Sequence, residues 1–154
     1  MSDANAPTML WVHDEMLRPS VLRDAEPACF VFDEQWIADA RISLKRIVFM
    51  AECLEAMPCV EVRRGDVIEE LAAFAETHDV SMLRTQVTPL PRLRSQIERL
   101  GSRFEIELFH EPTFVGLPGK VDLKRFSRYW NKAKKQAFKP TGEQAGDSLF
   151  AGGN

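Results

Sequence analysis

The stretch CVEVRRGDVIEELAAFAETHDVSMLRTQV, residues 59–87, decides the fold. Its first residues, Cys59 to Arg63, form a short run with β-branched Val60 and Val62, and they read as a strand. Asp66 follows the turn and can accept from a backbone N–H three residues on, while Glu69 can reach back in a capping box. Val67, Ile68, Leu71, Ala72 and Ala75 then repeat at the helical period as one buried face. Ser81 to Gln86 is a second short run of strand character. Strand, helix, strand in this order makes a right-handed crossover between parallel strands.

The same alternation extends outward in both directions. Met9 to His13, Ala28 to Asp33 and Phe104 to Phe109 are further strand candidates, too continuously apolar for a sheet with one wet face. A helix is predicted from Ala40 to Met57, with Leu44, Val48, Ala51 and Leu54 as its apolar stripe and Pro58 as its stop. A shorter segment, Leu17 to Arg23, bridges the first two strands. After the fourth strand, Thr88 reads as an N-cap and Pro89 as the first helical residue. Leu90, Leu93, Ile97 and Leu100 form that helix's stripe, and Gly101 its left-handed stop. The expected fold is therefore α/β, a Rossmann-like doubly wound five-stranded parallel sheet of order 3-2-1-4-5 with helices on both faces. Residues 9–139 make up the domain, ending in a loop, His110 to Gly119, and a helix from about Leu123 to Phe138. Residues 1–8 and 140–154 read as flexible ends.

Composition narrows the function classes. The 154 residues are 45% hydrophobic and 28% charged, enough for one self-sufficient core. A net charge of -3 excludes a chain built as a whole to coat nucleic acid or an anionic membrane. No targeting segment or membrane span is visible, so the expected location is cytoplasmic. Cys29, Cys53 and Cys59 each lie in an apolar run without metal-ligand spacing and read as buried thiols. His13, His78 and His110 are too scattered for a zinc site. The first strand-to-helix turn, His13 to Pro19, contains no glycine, which removes the usual dinucleotide cradle. No phosphate-binding glycine loop, serine elbow or HExxH is present either.

In the expected strand order the chain reverses between its first and fourth strands, and ligands bind such sheets at that point. The crevice would be lined by His13 and Asp14, by Thr85 to Thr88, and by Phe32, Asp33, Glu34 and Gln35. The helix starting at Thr88 would aim free N–H groups into it, favouring an anionic or carbonyl-bearing ligand. His13 is either a hydrogen-bonded structural histidine or a ligand contact. Near the C-terminus, residues 120–139 carry eight basic residues and one acid, with Phe126, Tyr129, Trp130 and Phe138 interleaved. This segment is either a surface for nucleic acid or an acidic partner, or an amphipathic helix whose aromatic face docks on the domain.

Taken together, the segments LWVHDEMLRPSVL, CFVFDEQWI, VEVRRGDVIEEL, RTQVTPLPRLRSQIERL, FEIELFHEPTFVGLPGKV and RFSRYWNKA resemble the N-terminal α/β domain of the DNA photolyase and cryptochrome family. The resemblance covers about residues 9–137. It implies a site for an antenna chromophore, a deazaflavin or a reduced folate, that passes excitation to a flavin in a following helical domain. Nothing in these 154 residues resembles that helical domain, so neither FAD binding nor autonomous lyase activity is expected, and Trp11, Trp36 and Trp130 read as packing groups. Two departures bear on the ligand. His13-Asp14-Glu15-Met16-Leu17-Arg18 stands where the family generally has Phe-Arg-x-Asp-Leu-Arg, and Gln86-Val87 stands where folate-binding members often have Asn-Glu. The expected cofactor-binding residues are His13, Asp14, Phe32, Asp33, Gln35, Arg46, Gln86 and Thr88.

The leading expectation is a photolyase-like binding module for a small ligand or a partner protein, linked to DNA photorepair or light sensing. The alternatives are a small enzyme using His13 or Asp14 as acid or base, and an accessory protein with weak nucleic-acid contact through the basic helix. Apolar side chains at Phe114, Val115, Leu117, Phe126 and Trp130 would meet a separate flavoprotein or a second copy in a homodimer. Otherwise the C-terminal helix covers them and the chain is a monomer.

Overall fold

A computed structural model describes residues 7–111 and 125–138. The chain divides into two units, Met1–Glu111 and Pro112–Asn154, and each is described by itself. The first unit holds β1 (Thr8–Val12), a 3-10 turn (Pro19–Val21), β2 (Ala28–Asp33), α1 (Glu34–Asp39), α2 (Leu44–Glu55), β3 (Val60–Gly65), α3 (Val67–His78), β4 (Met82–Gln86), α4 (Pro91–Leu100) and β5 (Glu105–Phe109). Its five strands form one sheet in the order β3-β2-β1-β4-β5, and every neighbouring pair is parallel. The fold class and strand order are those expected from the sequence.

The continuous apolar runs are explained by cover on both faces. Successive residues of a strand point to opposite sides, and β1 divides accordingly. Met9 and Trp11 join Cys29, Val31, Leu71, Phe74 and Leu93 beneath α3 and α4. Leu10 and Val12 join Phe30, Met50, Leu54 and Met57 beneath α2. Arg84 on β4 is buried but fully engaged, donating from Nε to Glu26 at 2.8 Å and from Nη2 to the Val21 carbonyl at 2.8 Å.

Several helix details differ from the sequence reading. The helix expected from Ala40 to Met57 starts only at Leu44, because Arg41 takes a left-handed φ of 49° and Ser43 caps the start, accepting from Arg46 N–H; a separate helix, α1, precedes it over Glu34–Asp39. The sheet takes the Ile47, Met50 and Leu54 face of α2, leaving Leu44, Val48 and Ala51 of the expected stripe exposed. Asp66 does cap α3, accepting from Ile68 and Glu69 N–H. Glu69, however, pairs with Arg103 at 3.0 Å rather than reaching back to the cap. Phe74, which the helical stripe had omitted, is fully buried.

The helix after β4 begins at Pro91, not Pro89. A residue before proline avoids the helical region, and Leu90 is extended at φ -71°, ψ 121°. Gly101 is right-handed at φ -62°; the left-handed cap is Asp79, which ends α3. The Leu17 to Arg23 bridge contains only the one short 3-10 turn. Of the three cysteines expected to be buried, Cys29 is, Cys53 is half-buried, and Cys59 is exposed because it precedes β3.

In the second unit α5 spans Phe126–Ala137. Phe126 and Phe138 are exposed, and Trp130 touches both: it stacks on Phe126 at 5.9 Å and meets Phe138 edge-on at 5.8 Å. Phe114, Val115 and Leu117 lie outside the described residues, as do most of residues 1–8 and all of 140–154.

Candidate ligand-binding site

The carboxyl ends of the strands gather the residues singled out in the sequence. β1 delivers His13, Asp14 and Glu15, and β4 delivers Gln86 and Thr88. His13 is buried, and Glu15 N–H points at its Nδ1 at 3.3 Å. Nδ1 must therefore accept, which leaves the proton on Nε2 to be donated to the Gln86 carbonyl at 3.2 Å. Burial lowers the His13 pKa, against weaker opposing effects of that hydrogen bond and the nearby carboxylates.

Asp14 is nearly buried between two arginines. Arg92 Nη2 lies 2.6 Å from one carboxylate oxygen and Arg46 Nη2 lies 3.6 Å from the other. The Arg92 guanidinium in turn lies over Trp36, 4.0 Å from the ring centre. The Arg18 guanidinium donates to Gln86 Oε1 at 2.6 Å, and Thr88 bonds Glu15 while accepting from Leu90 N–H at 3.1 Å. His13, Asp14, Gln86 and Thr88 are thus brought together as expected, but they bond to one another and to arginines across the reversal point. Beneath them a cavity of about 10 Å³ touches His13, Asp33 and Gln96. That is room for one water at most. Gln96 donates to Asp33 at 2.8 Å, and its Oε1 is buried without a protein partner.

The larger space lies one strand away. A groove of about 400 Å³ is lined by Phe32, Glu34, Ile37, Ala38, Ile47 and Arg64, from β2, α1, α2 and β3. Asp33 builds its wall by capping α1, accepting from Trp36 N–H at 2.9 Å. Most of its lining is apolar, and the polar part is the Arg64–Glu34 pair at 2.6 Å. Phe32 is the expected site residue that lines it. Gln35 instead bonds Asp39 on the exposed side of α1, and Arg46 turns to Asp14. The sequence matches no family model and no curated protein.

Sequence reasoning missed Ile37, Ala38, Ile47 and Arg64. The signal for α1 was present, since Asp33 is an N-cap type directly ahead of EQWIAD. The helix expected from Ala40 begins just past it, and α1 itself was not read. Among the described residues no cluster of three His, Cys, Asp or Glu side chains could hold a metal, and no helix is long and apolar enough to cross a membrane.

Proposed function

We propose that this chain is a photolyase-like α/β binding module that holds a flat, largely apolar ring system, a deazaflavin or a reduced folate, in the groove beyond β2 and β3. The observation that carries this reading is the groove itself: about 400 Å³, with Phe32, Ile37, Ala38 and Ile47 for the ring and the Arg64–Glu34 pair for its polar edge. Ligand sites commonly have about this volume and this mix of apolar wall and sparse polar groups. Such a chromophore would supply near-UV or blue absorption, linking the module to photorepair or light sensing. A binding role is favoured over acid–base catalysis because both His13 nitrogens and the Asp14 carboxylate are already engaged.

The test is titration of purified protein with a deazaflavin and with a reduced folate, for the wild type and for Ala38→Trp. Ala38 is exposed, so the indole fills the groove without disturbing the core. Binding should weaken at least about tenfold in the variant, roughly what losing 1.4 kcal/mol means. Equal affinity in both proteins would place the ligand elsewhere.

A second reading rests on α5. Residues 125–138 contain five basic side chains and no acid, beside exposed Phe126 and Phe138. This supports weak, unselective contact with nucleic acid.

A further inference from the structure

α2 carries apolar side chains on two faces, only one of which the sheet uses. On the other, Leu44, Val48 and Phe49 are 74%, 45% and 55% exposed. Exposed apolar side chains gathered on one helix face mark an interface more often than an accident of sequence.

The charges on this face are ordered. Lys45 lies in the first turn and Glu52 in the last part of the helix, seven residues apart and so on one face, two turns from each other. That order opposes the helix's own dipole, which favours acids at the N-terminus and bases at the C-terminus. α2 has no acid in its first turn and no base in its last. Neither Lys45 nor Glu52 forms an ion pair among the described residues. Within one chain the arrangement is unfavourable.

Between two chains it becomes complementary. The midpoint of Lys45 and Glu52 is also the midpoint of the adjacent apolar pair Val48 and Phe49. A two-fold axis through that point sets each Lys45 against the other chain's Glu52 and each Val48 against the other chain's Phe49. Two-fold interfaces require such a self-complementary patch, and the opposite charges of Lys45 and Glu52 supply it. We propose that α2 is the antiparallel, two-fold interface of a homodimer. This rests on neither the groove nor α5.

Sedimentation equilibrium of the full chain over a wide concentration range tests it. The wild-type mass should rise from 17.5 kDa toward twice that value. Lys45→Glu and Glu52→Lys each create two like-charge contacts across the axis, and each alone should lower self-association by about tenfold or more. Mixed in equal amounts, the two variants should restore association, because every contact across the axis is then of opposite sign. Both changes agree with the helix dipole, so at concentrations where the wild type is monomeric neither should melt earlier. A wild type that stays monomeric throughout overturns the proposal. So does a dimer unaffected by either charge reversal, or a mixture that associates no better than its components.

Discussion

His13 shows how a single buried side chain couples the site to pH. Its neutral form satisfies both ring nitrogens, with Glu15 N–H directed at Nδ1, so protonating Nδ1 would oppose one donor to another. Burial lowers its pKa in the folded state. The unfolded chain therefore takes up the proton first, at the ordinary histidine value of about 6.5. The stability contributed by neutral His13 is complete above that pH and is lost as pH falls toward the lowered folded value. An NMR titration, with the resonance assigned by its loss in His13→Gln, should give a midpoint below 6.5; a midpoint at or above it contradicts the assignment. The cysteines separate just as sharply by burial. Cys29 is fully buried, and its thiol is pushed up to about 12, chiefly by desolvation, while Cys59 is exposed. Thiol reagents act on the thiolate, so Cys59 should label rapidly in the native protein and Cys29 only on unfolding. Labelling of Cys29 at the Cys59 rate would mean that the β2 core is open.

At the scale of elements, local signals and packing contributed unequally. Asp66 alone caps α3, so Asp66→Ala should cost about 1 kcal/mol in urea unfolding and Glu69→Ala at most a few tenths. Equal costs would restore the reciprocal capping box. Gly65 precedes that cap at φ 143°, and a Cβ there would lie 3.1 Å from Glu70 Oε1, so Gly65→Ala should also destabilise. Strand positions were legible because β1 and β2 are nearly continuous apolar runs and the other strands are short β-branched or apolar stretches between helical patterns. Each observed strand falls within two residues of its expected ends. α2 was harder, because a helix with two apolar faces does not say which one the sheet will take. The α4 start turned on which of Pro89 and Pro91 sets the first turn, a choice settled by the extended Leu90. For α5, replacing Lys132, Lys134 and Lys135 with Gln should reduce the salt slope of DNA binding by roughly three if these residues meet phosphate. An unchanged slope would remove the nucleic-acid reading of this helix.

For the molecule as a whole, strand order fixed where a ligand was sought, and side-chain pairing closes that point. The reversal point between β1 and β4 was legible from topology, and the residues expected there do converge. Their closure was not legible, because it depends on Arg92 and Arg46 arriving from two helices to meet Asp14. The open groove was hidden for a different reason: α1, which supplies Glu34, Ile37 and Ala38 to its lining, was not read as a helix in the sequence. The claim that this groove takes a flat chromophore is tested most directly by the absorption spectrum of the protein purified from its own source. A near-UV or blue band that travels with the folded protein, is released on denaturation, and is lost in Ala38→Trp from the same source is the predicted result. Colourless native protein that also fails to bind added deazaflavin or reduced folate would contradict it.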